Sequence, residues 1–254
     1  MIVITGPGRS GTSLIAQIYR ELGFDPGGVW IPEYNAGYED HDIVTANSGI
    51  IRDLRITALA DSYGNEMLRR EIRDPTDPPR PKLSWWLGTK AARLAERWLG
   101  RRADPLELIS WESFDEIVEA RRAALTEMAR RFQVAKDPYF CWTLAAWAAA
   151  GAQIEHVLVC VRNFDAMVES RFAAGQLFFS SRSGAKNSFA YGLGLCMMAI
   201  YEHRLSHSVV RFPDFLKEPV SLFEALRFPT PVTYERFHEA FSRIVAADLV
   251  HDFR

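Results

Sequence analysis

Long hydrophobic runs, clustered cysteines and a surplus of charge of either sign are all missing from this chain. No apolar stretch among the 254 residues approaches the roughly 20 needed to cross a bilayer. The first residues read directly as a strand, so no leader ahead of the fold is expected. Three cysteines, Cys141, Cys160 and Cys196, stand far apart with no CxxC pair and no metal-like grouping. An odd number of thiols inside apolar segments points to reduced, buried side chains and a cytoplasmic setting. Lysine and arginine number 30 against 32 aspartates and glutamates, a net charge of −2. No global field therefore favours nucleic acid or an anionic membrane as a partner. Internal repeats are absent as well.

What is present is enough apolar material, 48% of residues, to bury a substantial core as one domain over 1–254. Apolar runs at Ile2–Thr5, Leu106–Ile109, Phe132–Ala135, His156–Val161 and Ser208–Phe212 read as strands, continuous rather than alternating, as buried parallel strands are. Helical periodicity fills the stretches 14–22, 41–60, 90–101, 113–131, 139–151, 164–174 and 188–205. Strand and helix in alternation predict a doubly wound α/β domain whose ligand crevice lies at the carboxyl ends of the strands. A segment around 62–105 interrupts the pattern. Its RDPTDPPRPK stretch at 73–82 is too rich in proline for regular structure, and Trp85 and Trp86 follow it. It reads as an insertion on the acceptor side, a loop pinned by tryptophans or a wall of a pocket.

The first strand runs into GPGRSGTS at 6–13 and then into an amphipathic helix. Glycines there let backbone N–H groups converge on an anion, and the helix N-terminus adds partial positive charge. A nucleoside-triphosphate loop reads GxxxxGK[ST], but here Thr12 takes the lysine position and the cation sits earlier, at Arg9. The loop therefore points away from ATP hydrolysis and towards a different phosphate-containing ligand. Two later strands each end on a cation: VAKDP at 134–138 delivers Lys136, and VLVCV at 157–161 delivers Arg162. Three cations around one crevice are costly unless an anion balances them.

Together these stretches resemble the sulfotransferases that use 3′-phosphoadenosine 5′-phosphosulfate (PAPS), most of all the bacterial, carbohydrate and tyrosylprotein branches. GPGRSGTS resembles that family's 5′-phosphosulfate loop, PRSGTT or PKSGTT. RNFDAMVES at 162–170 resembles its 3′-phosphate motif, with Arg and Ser eight positions apart, although Asn163 replaces the first Asp and Asp165 sits one place early. Lys136-Asp137-Pro138 resembles the KDP or KSP element between them. Gly37-Tyr38-Glu39-Asp40 resembles an acidic GYFE-type turn, one residue shorter here, and VVRFPDFLKEP at 209–219 is similar to VVRYEDLLxDP. The matches occur in family order from residue 2 to about 219.

The resemblance implies a three-layer α/β sandwich of the P-loop type, with a central, mainly parallel sheet and many helices. It implies PAPS as donor, adenosine 3′,5′-bisphosphate as product, no required metal, and a small-molecule or carbohydrate acceptor bearing a hydroxyl or, less readily, an amine. Gly8, Arg9, Ser10, Gly11, Thr12 and Ser13 would cradle the 5′-phosphosulfate. Arg162 and Ser170 would hold the 3′-phosphate, and Arg9 and Lys136 would meet charge growing on the leaving oxygen. A general base must take the acceptor proton. Glu39 ranks first for that task, Glu33 second and His41 third, whereas Asp40 and Asp42 read as caps of the following helix. Arg182, Ser183, Gly184 and Lys186 read as a polar loop that contacts donor or substrate, or simply faces water. Two other functions stay open: a P-loop kinase of a small molecule, and a catalytically silent nucleotide-binding protein.

Overall fold

The computed structural model describes residues 1–31, 36–54, 56, 111–173 and 182–246. The expected strand Leu106–Ile109, the helix 90–101, the insertion at 62–105 with its Pro-rich stretch and tryptophans, and Glu33 lie outside these residues. The described chain is α/β. Four strands, β1 (Ile2–Thr5), β4 (Val134–Lys136), β5 (His156–Arg162) and β6 (His207–Phe212), form one parallel sheet in the order β4-β1-β5-β6. Two short strands, β2 (Trp30–Ile31) and β3 (Ala36–Gly37), pair antiparallel as a separate hairpin.

Eight α-helices accompany these strands among the described residues: α1 (Thr12–Glu21), α2 (His41–Asp53), α3 (Phe114–Arg131), α4 (Phe140–Ala149), α5 (Phe164–Ala173), α6 (Arg182–Glu202), α7 (Pro219–Ala225) and α8 (Tyr234–Ala246). The parallel sheet is buried on both faces, because successive side chains of a strand point to opposite sides. Ile2 and Ile4 of β1 join Leu158 and Cys160 of β5 in a core with α1, α7 and α8. Val3, Val157 and Val159 face the other way, into a core shared with α2, α3, α4 and α6. The outcome is helices, sheet, helices.

Element ends moved modestly from expectation. The α2 helix stops at Asp53 rather than 60, and the α6 helix starts at Arg182 rather than 188. Residues 182–186 are therefore the first turns of a helix and not a loop, a correction to the reading of Arg182, Ser183, Gly184 and Lys186. The polar residues and glycine there depress helix propensity, but Ala185 and Phe189 pack on Met167 and Val168 of α5 and hold the turn. The sheet order has one consequence for function. The strand before the Gly-rich loop lies between the strand that carries Lys136 and the strand that carries Arg162. In open α/β sheets, ligands bind in such a crevice beyond the carboxyl ends of the strands.

Candidate functional site

The loop between β1 and α1 is shaped for close approach. Gly11 occupies the N-cap of α1 with φ of 98°, and a Cβ there would lie 2.9 Å from the Phe212 ring. Glycine is the residue that meets both demands at little cost. Leu14 N and Ile15 N turn back to Gly11 O at 3.1 and 3.3 Å. The N–H groups of the first helical residues, Thr12 and Ser13, have no intrahelical partner by geometry, and glycine brings no side chain to cap them. Arg9 is held in the left-handed region, with φ of 73°. Ser10 Oγ is buried with no hydrogen-bond partner among the described residues. A nest of this kind suits an oxygen-rich anion.

Arg9 joins the loop to the second motif. Its Nε donates to Oγ of Ser170 at 3.1 Å, and Nη1 of Arg162 donates to the backbone carbonyl of Arg9 at 3.3 Å. Arg162 lies over the Phe212 ring, 5.2 Å from its centroid. Burial, and then the charge of Arg9, push the Arg162 pKa below the usual arginine value. Two guanidinium groups this close oppose each other, and an anion set between them would relieve both.

On the other flank of β1, Lys136 is 1% exposed. Its Nζ donates to Ser13 Oγ and to the Gly37 carbonyl, each at 3.0 Å, and forms a short ion pair with Oε1 of Glu39. Gly37 N also donates to Ser13 Oγ, at 3.3 Å. The β2–β3 hairpin is thus tied directly to the start of α1.

The acids of the turn divide as their positions suggest. Asp40 caps α2, Oδ1 accepting from Asp42 N at 2.9 Å and Ile43 N at 3.4 Å. Asp42 pairs with Arg131, and His41 is exposed. Glu39 is the acid that reaches the cluster.

Beneath Lys136 a buried network fixes the strand end. Asp137 Oδ1 accepts from Tyr139 N at 2.9 Å and Oδ2 from Asn47 Nδ2 at 2.7 Å. Trp147 Nε1, which can only donate, holds Asn47 Oδ1 at 2.7 Å and so sets which way the amide points. Burial raises the Asp137 carboxyl to about 7, against the lowering effect of these two hydrogen bonds.

Two features lay beyond the sequence reading. One is the Glu39–Lys136 pair, which depends on a hairpin whose strands are only two residues long. The other is Arg171, 8% exposed, which lies against the loop next to Ser170. Its only sequence signal is adjacency to that serine. Lys186 pairs with Asp165 and Arg211 with Asp214. Compared with known proteins, the chain matches no family model, no curated protein and no solved structure.

Proposed function

We propose that this protein transfers a sulfuryl group from PAPS to a hydroxyl of a small-molecule or carbohydrate acceptor. The observation that carries the reading is the meeting of Arg9, Ser170 and Arg162, drawn from two stretches that each resemble half of a donor site. The orphaned hydroxyl of Ser10 and the glycine nest at the start of α1 fit a donor with two anionic ends. When bound, PAPS supplies a sulfuryl group whose bond to a phosphate oxygen breaks as the acceptor oxygen bonds to sulfur.

The chain's own residues would divide the work by chemistry. Backbone N–H groups at the start of α1, with the Thr12 and Ser13 hydroxyls, orient the 5′ end. Arg162 grips the 3′-phosphate with a planar fork of donors. The Ser170 hydroxyl accepts from Arg9 and has its own proton left to donate. Lys136 and Arg9 oppose negative charge on the leaving oxygen. Glu39 takes the acceptor proton, and its pairing with Lys136 aims the carboxylate at the same cluster.

No helix among the described residues is long and apolar enough to cross a membrane. The three buried free thiols suit the reducing, cytoplasmic setting proposed for the chain.

Calorimetric titration tests the reading. Adenosine 3′,5′-bisphosphate binds without added metal, ATP–Mg²⁺ binds far more weakly, and labelled sulfate moves from PAPS to a member of an acceptor panel. Preference for ATP–Mg²⁺ would replace the reading with the kinase. Bisphosphate binding with no transfer to any acceptor would leave a silent nucleotide-binding protein.

A further inference from the structure

Arg171 stands one residue beyond Ser170 on α5, and its side chain is 8% exposed. The guanidinium is 5.3 Å from the centroid of Phe189, a buried ring of α6. On another side it meets the Gly-rich loop: a Cβ built on Gly8 would sit 2.8 Å from Arg171 Nη2. Nothing larger than glycine fits at position 8 unless Arg171 moves. Gly8 precedes Arg9, the residue in the left-handed region whose Nε reaches Ser170. Successive residues of α5 therefore meet successive residues of the loop, Ser170 bonded to Arg9 and Arg171 packed beside Gly8.

A planar, rigid cation closely packed against backbone does two things at once. It fills the space between α5 and the loop, so that the loop cannot sink towards the helix, and it places a positive charge beneath an anion site, where a low dielectric strengthens it. A lysine at the same place would keep the charge but lose the planar group that lies over Phe189 and reaches Gly8. We propose that Arg171 is a positioning residue of the donor site, clamping Gly8 so that the Arg9 turn is formed before the anion arrives. This rests on the reading of the loop as an anion cradle, but the clamp itself is a property of the ligand-free chain.

The test uses the full chain and two readouts. Amide hydrogen exchange of residues 8–11 without ligand reads the clamp directly. Exchange there quickens in R171A and R171K, while core amides of β1 and β5 keep their protection. A cycle of G8A, R171A and the double variant reads the contact: G8A lowers the denaturation midpoint slightly in the parent, because the end of the Arg171 side chain can give way, and costs less still once Arg171 is gone. For ligand, affinity for adenosine 3′,5′-bisphosphate falls about tenfold in both Arg171 variants, as expected when a charged group's hydrogen-bonding neighbours are disordered. Unchanged loop exchange, or an undiminished cost of G8A in the R171A background, overturns the clamp. Parent protein that fails to bind the bisphosphate overturns the donor-site reading instead, and the exchange and cycle results still decide the clamp.

Discussion

Arg9 donates from Nε to the hydroxyl oxygen of Ser170 at 3.1 Å, across 161 positions of sequence. The bond crosses from the β1–α1 loop to the helix that follows β5, and so links the carboxyl ends of two neighbouring parallel strands. Losing it should be visible in ligand binding. In S170A, affinity for adenosine 3′,5′-bisphosphate is expected to fall about tenfold, the worth of a hydrogen bond to a charged group. Calorimetry on parent and variant measures it, and unchanged affinity would mean that the hydroxyl serves Arg9 alone.

The Lys136–Glu39 pair makes a second, separable prediction. Lys136 is 1% exposed and Glu39 25%, so K136M leaves a largely buried carboxylate facing an apolar side chain. A stability loss of about 2 kcal/mol is expected, below the range for a fully buried pair. The double variant K136M/E39L recovers most of that loss yet transfers no sulfate. E39Q keeps bisphosphate affinity and loses transfer by about 10²–10⁴-fold, the usual contribution of a general base. Denaturant titration and a transfer assay separate these outcomes. A fully active E39Q would remove Glu39 from the chemistry.

Two buried groups should tilt the stability profile in opposite directions. Asp137 is raised from 3.8 to about 7 by burial, so the folded state keeps a proton that the unfolded chain has lost. Its contribution is fully present below 3.8 and disappears as pH rises through about 7. His156 is lowered from 6.5 to about 4 by burial, then by Arg227 and His207. Its contribution is present above 6.5 and is lost as pH falls through about 4. Because the two oppose each other in weak acid, single variants are needed to see either. Relative to the parent, D137N gains stability with rising pH and H156Q gains it with falling pH, in denaturant midpoints from pH 4 to 8. A parent-minus-D137N difference that is flat across this range would contradict the Asp137 assignment.

Substituting Gly11 probes the nest. In G11A, φ of 98° and a Cβ 2.9 Å from the Phe212 ring strain the start of α1 together. A loss of about 1–3 kcal/mol is expected, with bisphosphate affinity falling in parallel. Full affinity in G11A would mean that the ligand does not use this helix start.

The positions of β1, β4, β5 and β6 were legible because parallel strands buried on both faces leave continuous apolar runs, as IVIT and HVLVCV do, but their order in the sheet was not. The meeting of the Gly-rich loop with Arg162 and Ser170 was foreshadowed by glycines and cations at the offsets that the proposed phosphate cradle would demand. The last two helices, α7 and α8, were not among the expected elements, although the chain carries signals for both. Pro219 opens α7 at its first position, and Phe237, Ala240, Phe241 and Ile244 repeat at helical spacing on one face of α8. What could not be read was the pairing of Glu39 with Lys136. That contact depends on where a two-by-two-residue hairpin folds over the sheet edge, and strands so short carry no period. The N-terminal boundary of α6 failed for a related reason, since its first residues are helical through packing on α5 rather than through their own preference.

The three thiols offer a native stopwatch. Cys141, Cys160 and Cys196 are each at most 1% accessible and lie on a strand or helix of the core. A colourless reagent that reports on sulfur therefore waits for the interior to open. The rate at which it develops colour counts openings of the sheet and its covering helices, with no label added to the chain.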